Sequence, residues 1–380
     1  MLNGGEIKWL NSKTIGMTNV LENIQIENRH FRSIINDAIK TAEVAGLVYV
    51  SCNNPGYTRI RKGSKFIYMD GHRRLDNPLQ LERIRLLVLP PAWEKVWICK
   101  LQSGHMQATG IDSLNRKQYK YHQFWSSIRN QTKFYRMREF GEKIPFMRSN
   151  IKKDLLQPGY PQTKVLATMI SLLERINIRV GNTFYEKEYG SFGLTTLKDH
   201  HVKVSGTQLK IIFKGKKGIM QNINLTSRKL AKIIQGCKDI PGKELFQYYD
   251  EQGNRRTVDS GMVNDYIRSI SGSDFTAKDY RTWAGTIQAL LALKEVGGFE
   301  TLTEMKQKIP AALDLVAKQL GNTRTVCKKY YVHPLIIDLY QNKKLERYLK
   351  KLDSIEADKV DDGYVAEERI LLKILCIPHN

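Results

Sequence analysis

The chain has 380 residues, 61 of them lysine or arginine against 38 aspartate or glutamate, giving a formal net charge of +23. A surplus of that size speaks of partners rather than fold: nucleic acid first, a membrane surface second, ribosomal association third. No uninterrupted apolar run reaches membrane-spanning length, and the five scattered cysteines, with no CxxC pair, count against a disulfide framework and a zinc site.

The length suggests two domains. The first residues carry no basic segment followed by an apolar run, so no leader peptide is expected, and the cysteine usage points to a reduced, cytosolic compartment. Residues 1–30 are polar and mixed, with no assignable fold. From Phe31 to Gly46 the apolar groups Phe31, Ile34, Ile35, Ala38, Ile39 and Ala42 recur at helical spacing. The character then changes. Leu47–Ser51, Phe66–Tyr68, Val96–Cys99 and Gly104–Thr109 read as short strands, punctuated by Asn53–Gly56, Asp70-Gly71 and Pro90-Pro91. A short helix is expected over Leu79–Leu87. Two stretches in this part interleave cations with aromatics. One holds Arg59, Arg61, Lys62, Lys65, Arg73 and Arg74 around Tyr57, Phe66 and Tyr68; the other is Asn115–His122. One such stretch reads equally well as a solvated strand face. Two of them on so basic a chain lean toward phosphate contact.

After Trp125 the spacing becomes helical and stays so. Val165, Met169, Ile170, Leu173 and Ile176 mark an amphipathic helix over 163–178, with Gly181 as its breaker. Strands are expected at Leu194–Leu197, His201–Ser205, Gln208–Phe213 and Ile219–Leu225, the last two joined by the turn Lys214–Gly218. Helices follow over Ser227–Gln235, Ser260–Ile270, Thr282–Leu293, Thr303–Leu320, 335–352 and 365–376, with an acidic connector at Ile355–Asp362. The fold class is therefore α+β: a β-rich domain over 1–126 and a mainly helical domain over 127–380 that contains a small sheet.

The stretch Gly321–Pro334 sets a tyrosine pair among Arg324, Lys328 and Lys329. Alone it reads as a basic surface helix. A tyrosyl oxygen among cations could also attack a phosphodiester, because the cations offset charge that builds on phosphorus. Arg179 after a helix, Lys216 at a hairpin tip, Arg281 at a helix start and Asn322 nine residues before Tyr331 each have ordinary structural readings: a dipole partner, a solvated tip, a cap.

Together, these positions resemble a known set. The sequence resembles the type IB DNA topoisomerases, in their compact bacterial and poxvirus-like branch, from about Gly56 to Leu375. Eight blocks carry the likeness in order: Tyr68–Arg74, Leu89–Ile98, Arg116–His122, Ile178–Asn182, Tyr189–Leu197, Phe213–Gly218, Lys278–Trp283 and Gly321–Pro334. The resemblance implies that Tyr331 is the nucleophile of a 3′-phosphotyrosyl link, with Tyr330 as its rival. Arg179 and Arg281 would clamp the non-bridging oxygens through planar, permanently charged forks, and Lys216 would protonate the 5′-oxygen leaving group. Asn322 fills a position that is histidine in the poxvirus enzymes; an amide still donates a hydrogen bond but carries no charge. Arg116, Gln118, Tyr119, Tyr121, Tyr185 and Lys328 match family positions that contact DNA. The implied enzyme is a monomeric, cytoplasmic, nucleoid-associated topoisomerase of bacterial type. Its two domains would form a clamp on duplex DNA and relax supercoils of both signs with no cofactor, metal or ATP. The nearest alternative is a tyrosine recombinase or integrase, which usually has histidine where this chain has Lys278 and an all-helical arm where residues 47–110 read as β. A non-catalytic DNA-binding relative is the other.

Overall fold

The computed structural model describes residues 37–63, 65–113, 117–353 and 363–377. The expectations for residues 1–36, for Arg116 and for the acidic connector lie outside them. The chain divides between Lys133 and Phe134 into two compact units.

The first unit is built on an antiparallel six-stranded sheet of order β3-β2-β1-β4-β5-β6. Its strands are β1 (Gly56–Lys62), β2 (Lys65–Asp70), β3 (Arg73–Arg74), β4 (Glu94–Cys99), β5 (Met106–Ile111) and β6 (Lys117–Tyr121). Tyr57 faces Ile98 and Ile98 faces Ala108 across the ladder. These three join Leu75, Val96 and Ile84 in one buried cluster, and Ile84 is contributed by helix α2 (Pro78–Leu86), which follows the short α1 (Ala38–Val44) and whose N-cap Asn77 accepts from the Gln80 N–H. Leu47–Ser51 is not a strand. Val48 makes only an isolated bridge to Gly104, because its backbone pairs with the loop at Ser103 and His105 rather than with a sheet edge.

The second unit is mainly helical. Its elements begin within the long helix α3 (Gln123–Asp154) and continue through α4 (Gln162–Ile176), α5 (Thr183–Tyr189), the antiparallel sheet β7-β8-β9 (Val202–Ser205, Gln208–Lys214, Met220–Thr226), α6 (Arg228–Lys238) and a β10-β11 hairpin (Gln247–Tyr249, Arg255–Thr257). After these come α7 (Ser260–Ser271), α8 (Ala277–Val296), α9 (Leu302–Leu320), α10 (Arg324–Tyr330), α11 (Pro334–Gln341), α12 (Glu346–Asp353) and α13 (Ala366–Leu375). Strand β8 alternates Leu209, Ile211 and Phe213 inward with Gln208, Lys210, Ile212 and Lys214 outward, so one face of the small sheet joins the core.

Several boundaries differ from the sequence expectation. Leu194–Thr196 forms a 3₁₀ turn instead of a strand, because its amides reach back to the chain before α5: Leu194 N–H to the Arg179 carbonyl at 2.8 Å and Thr195 N–H to that of Val180 at 2.6 Å. Gly193 makes this possible, since a Cβ there would lie 2.5 Å from Gly181 Cα. The terminator of α4 is Asn177, at φ 52°, and not Gly181. Helix α8 begins five residues earlier than its apolar spacing suggests, because Thr276 and Asp279 cap it: the Asp279 carboxylate accepts from Thr276 N–H at 2.8 Å. The expected helix over 335–352 is two helices, interrupted near Lys343, which adopts φ 55°.

Candidate active site

The C-terminal end of α9 organises the cluster. Gly321, at φ 57°, closes the helix in the left-handed conformation and turns the chain toward α10. The last carbonyls of a helix carry negative dipole charge and lack intrahelical donors. Here they receive two arginines. Arg281 donates through Nη2 to the Leu320 carbonyl at 2.9 Å and through Nη1 to that of Asn177 at the end of α4. Arg179 donates to the Gly321 carbonyl at 3.0 Å and to Asn322 Oδ1 at 2.6 Å. Among the described residues, both guanidiniums are held by carbonyl and amide oxygens and not by carboxylates. Their positive charge is thus fixed in place but not cancelled. Burial and then the nearby Arg281 push the Arg179 guanidinium below its ordinary value, with Tyr331 and Cys327 acting the other way; an arginine starts high enough to stay charged.

Tyr331 follows α10 directly, its N–H donating to the Cys327 carbonyl at 2.9 Å. The Arg281 guanidinium lies over its ring, 5.2 Å from the centroid. Thr286 on α8 donates to the Tyr331 carbonyl at 3.1 Å and accepts from His333 N–H at 3.1 Å. Gly285 beside it leaves room for this approach: a Cβ there would sit 2.9 Å from Tyr331 Cβ. Tyr330, by contrast, has Lys329 over its ring at 5.5 Å. Asn322 donates through Nδ2 to the Leu320 carbonyl at 3.3 Å.

Arg179, Arg281, Asn322 and Tyr331 thus come together from four segments. Lys216 stands apart. It sits exposed on a short 3₁₀ turn between β8 and β9, where Gly215 N–H donates to the Ile219 carbonyl at 2.8 Å and Lys217 takes φ 62°. The same hairpin approaches the cluster through Gln221, whose amide would lie 3.3 Å from a Cβ on Gly321. Neither Gln221, Thr286 nor Gly285 was singled out from the sequence, because nothing local marks a glutamine on a strand or a Gly-Thr pair inside a helix.

Lys328 projects exposed from α10, and Tyr185 is 40% exposed on α5. Within the first unit, Tyr119 and Tyr121 on β6 are exposed and stack with ring centroids 5.9 Å apart. Gln118 donates to Asp112 at 2.8 Å. Of the two basic stretches, the first is partly structural. Arg59 donates to the carbonyls of Leu89, Pro90 and Trp93 and stacks 4.3 Å over Phe66. Among the described residues, no three His, Cys, Asp or Glu side chains gather as a metal-binding group, and no helix is long and apolar enough to cross a membrane.

The family model described as "Eukaryotic DNA topoisomerase I, catalytic core" matches residues 118–358. The chain belongs to the type IB DNA topoisomerases. A second model, "Bacterial DNA topoisomerase IB, N-terminal domain", matches residues 65–112 of this type IB chain. The DNA topoisomerase 1B of Acanthamoeba polyphaga mimivirus is 35% identical over 298 residues, covering 76% of this chain and 88% of the relative. That of vaccinia virus (strain Copenhagen) is 25% identical over 240 residues, covering 62% and 72%. The DNA topoisomerase 1 of rabbit fibroma virus (strain Kasza) is 24% identical over 241 residues, covering 60% and 70%. These relatives are viral, so the kinship is poxvirus-like, and as a type IB topoisomerase the chain is a DNA-binding isomerase.

Proposed function

We propose that this topoisomerase cuts one strand of duplex DNA by transesterification. The Tyr331 hydroxyl oxygen attacks the scissile phosphorus and its proton leaves to water. The bond from phosphorus to the 5′-oxygen breaks, and Lys216 protonates that oxygen. The product is a 3′-phosphotyrosyl link and a free 5′-hydroxyl. Arg179, Arg281 and the Asn322 amide donate to the non-bridging oxygens, where charge develops. Religation is the reverse attack, so the bond energy is conserved in the link and no nucleotide is needed. Between the two steps, torsional strain turns the cut strand, which relaxes supercoils of either sign. Gln118, Tyr119, Tyr121, Tyr185, Lys328 and Arg116 hold the duplex.

The observation that carries this reading is the placement of Tyr331 beneath Arg281, beside an Arg179–Asn322 pair whose charge no carboxylate among the described residues neutralises. It also favours Tyr331 over Tyr330 as nucleophile. All five catalytic groups come from one chain, so a monomer suffices. The decisive experiment traps the adduct on a 3′-side-labelled duplex and maps the modified residue. Tyr331→Phe should abolish the adduct and retain salt-sensitive binding, while Tyr330→Phe retains both; an adduct that survives Tyr331→Phe overturns the assignment. Plasmid relaxation should proceed at full rate in EDTA without ATP, and a requirement for either metal or nucleotide would contradict the scheme.

A further inference from the structure

Arg179, in the segment that follows α4, and Arg281, on α8, each lie a few residues from a member of one shared ionic node, Glu174 and Trp283 respectively. Arg148 on α3 forms a two-pronged pair with Glu368 on α13, at 2.8 and 2.9 Å, and donates through Nε to Glu174 at 2.7 Å and through Nη1 to the Gly363 carbonyl at 2.6 Å. Burial works against the Arg148 charge, but the two carboxylates more than offset it and raise its affinity for the proton. Glu368 is 4% exposed, and its carboxylate also accepts from the Trp283 indole N–H at 3.2 Å and from Val365 N–H at 3.1 Å. Glu174 lies in the last turn of α4, five residues before Arg179. Trp283 lies two residues after Arg281 on α8, roughly opposite it at about 100° per residue. Its ring packs where a Cβ on Gly141 would come within 2.5 Å, so it has little room to move.

We propose that Glu368, acting through Arg148 and Trp283, is a positioning residue that sets the separation of Arg179 and Arg281 across the scissile phosphate. Glu368 belongs to the C-terminal helix, which lies beyond residue 358, where the catalytic-core match ends. This terminal helix is therefore part of the support of the active site. A pure surface ion pair would contribute little. A two-pronged pair with a buried carboxylate and a half-buried guanidinium has a defined geometry and transmits it. The idea rests on the reading of the two arginines as phosphate clamps.

The test compares single-turnover cleavage of an ordinary suicide duplex with cleavage of one carrying a methylphosphonate at the scissile position. Replacing a non-bridging oxygen by methyl removes the charge that the clamps counter, so displaced clamps cost less there. Glu368→Gln should slow cleavage of the ordinary duplex by about tenfold or more. On the methylphosphonate the loss should shrink to about twofold or less, with unchanged duplex affinity on both. Trp283→Phe removes the indole donor together with part of the buried ring and should show the same pattern, so it answers the question if Glu368→Gln does not fold. Arg281→Ala is the control. Equal losses on both substrates, or no loss, in variants where Arg281→Ala does show the shrinkage, overturn the positioning role alone. Absence of shrinkage in Arg281→Ala removes the clamp reading, and this proposal falls with it.

Discussion

Arg179 donates a 2.6 Å hydrogen bond to the amide oxygen of Asn322, and that bond decides which end of the amide can meet a phosphate. A guanidinium has only donors, so the oxygen must face it and the NH₂ group must face away. One of that group's hydrogens reaches the Leu320 carbonyl at a long 3.3 Å, which leaves the other to donate. Asn322→Ala should therefore slow single-turnover cleavage by about tenfold to a hundredfold with little change in duplex binding. Asn322→Asp should be worse, because it removes the donor and sets a negative charge against Arg179. If the aspartate variant cleaves as fast as the alanine variant, the charge of Arg179 is not what the site uses.

Gly285 tests how tightly Tyr331 is packed against α8. A Cβ there would stand 2.8 Å from the Tyr331 carbonyl oxygen, inside contact distance of backbone that cannot swing aside. Gly285→Ala should lower stability by about 1–3 kcal/mol and cleavage by about tenfold or more, since a small displacement of a nucleophile is costly. The measurements are a denaturant midpoint and the adduct rate. A variant that loses stability but keeps its rate would show that Tyr331 tolerates the shift.

Arg59 offers the opposite test in the first unit. Its guanidinium gives three N–H groups to backbone carbonyls, so its first role is a structural tie within the unit. Arg59→Ala should destabilise the chain by about 1–3 kcal/mol while leaving the salt dependence of DNA binding unchanged. A shallower slope of log K against log salt would return Arg59 to the DNA-contacting surface.

His201 gives a pH prediction. It is buried against Phe192, and its Nδ1 accepts from Lys198 N–H at 3.0 Å. Burial, then the neighbouring His200 and Lys198, push it from 6.5 down to about 4. A group with a depressed folded value binds its proton more readily when unfolded. The stability it contributes is thus present above 6.5 and is lost as pH falls toward about 4. The drop in urea midpoint between neutral pH and about pH 4.5 should be smaller in His201→Gln than in the parent. Equal drops would assign the acid sensitivity to other groups, among them His105, which burial also pushes down.

Much of this fold is legible in the amino-acid order. The apolar spacing of Val165, Met169, Ile170 and Leu173 is a local signal, and the helix Gln162–Ile176 follows it within two residues. The alternation of Leu209, Ile211 and Phe213 does the same for a strand. Such elements depend on neighbours at i+2 to i+4, which the sequence displays directly. Leu194–Thr196 escaped that reading because its amides bond to residues about fifteen positions earlier, and a buried apolar run looks the same whether it pairs in a sheet or against a loop.

The chemistry of the site was also partly determined by sequence: the residue types, their order and the blocks around them suffice to identify type IB kinship. How those groups are held depends on contacts between distant segments. Arg179 and Asn322 are 143 positions apart, and Arg281 and Asn177 are 104 apart. No local propensity encodes a pairing at that distance; it exists because the ends of two helices converge and present carbonyls that need donors. The same need for donors ties Arg59 to the carbonyls of Leu89, Pro90 and Trp93, and Arg179 to the Gly321 carbonyl and the Asn322 amide oxygen, but only the second tie sets a guanidinium beside Arg281 and Tyr331. In the order of residues nothing local tells the two arginines apart.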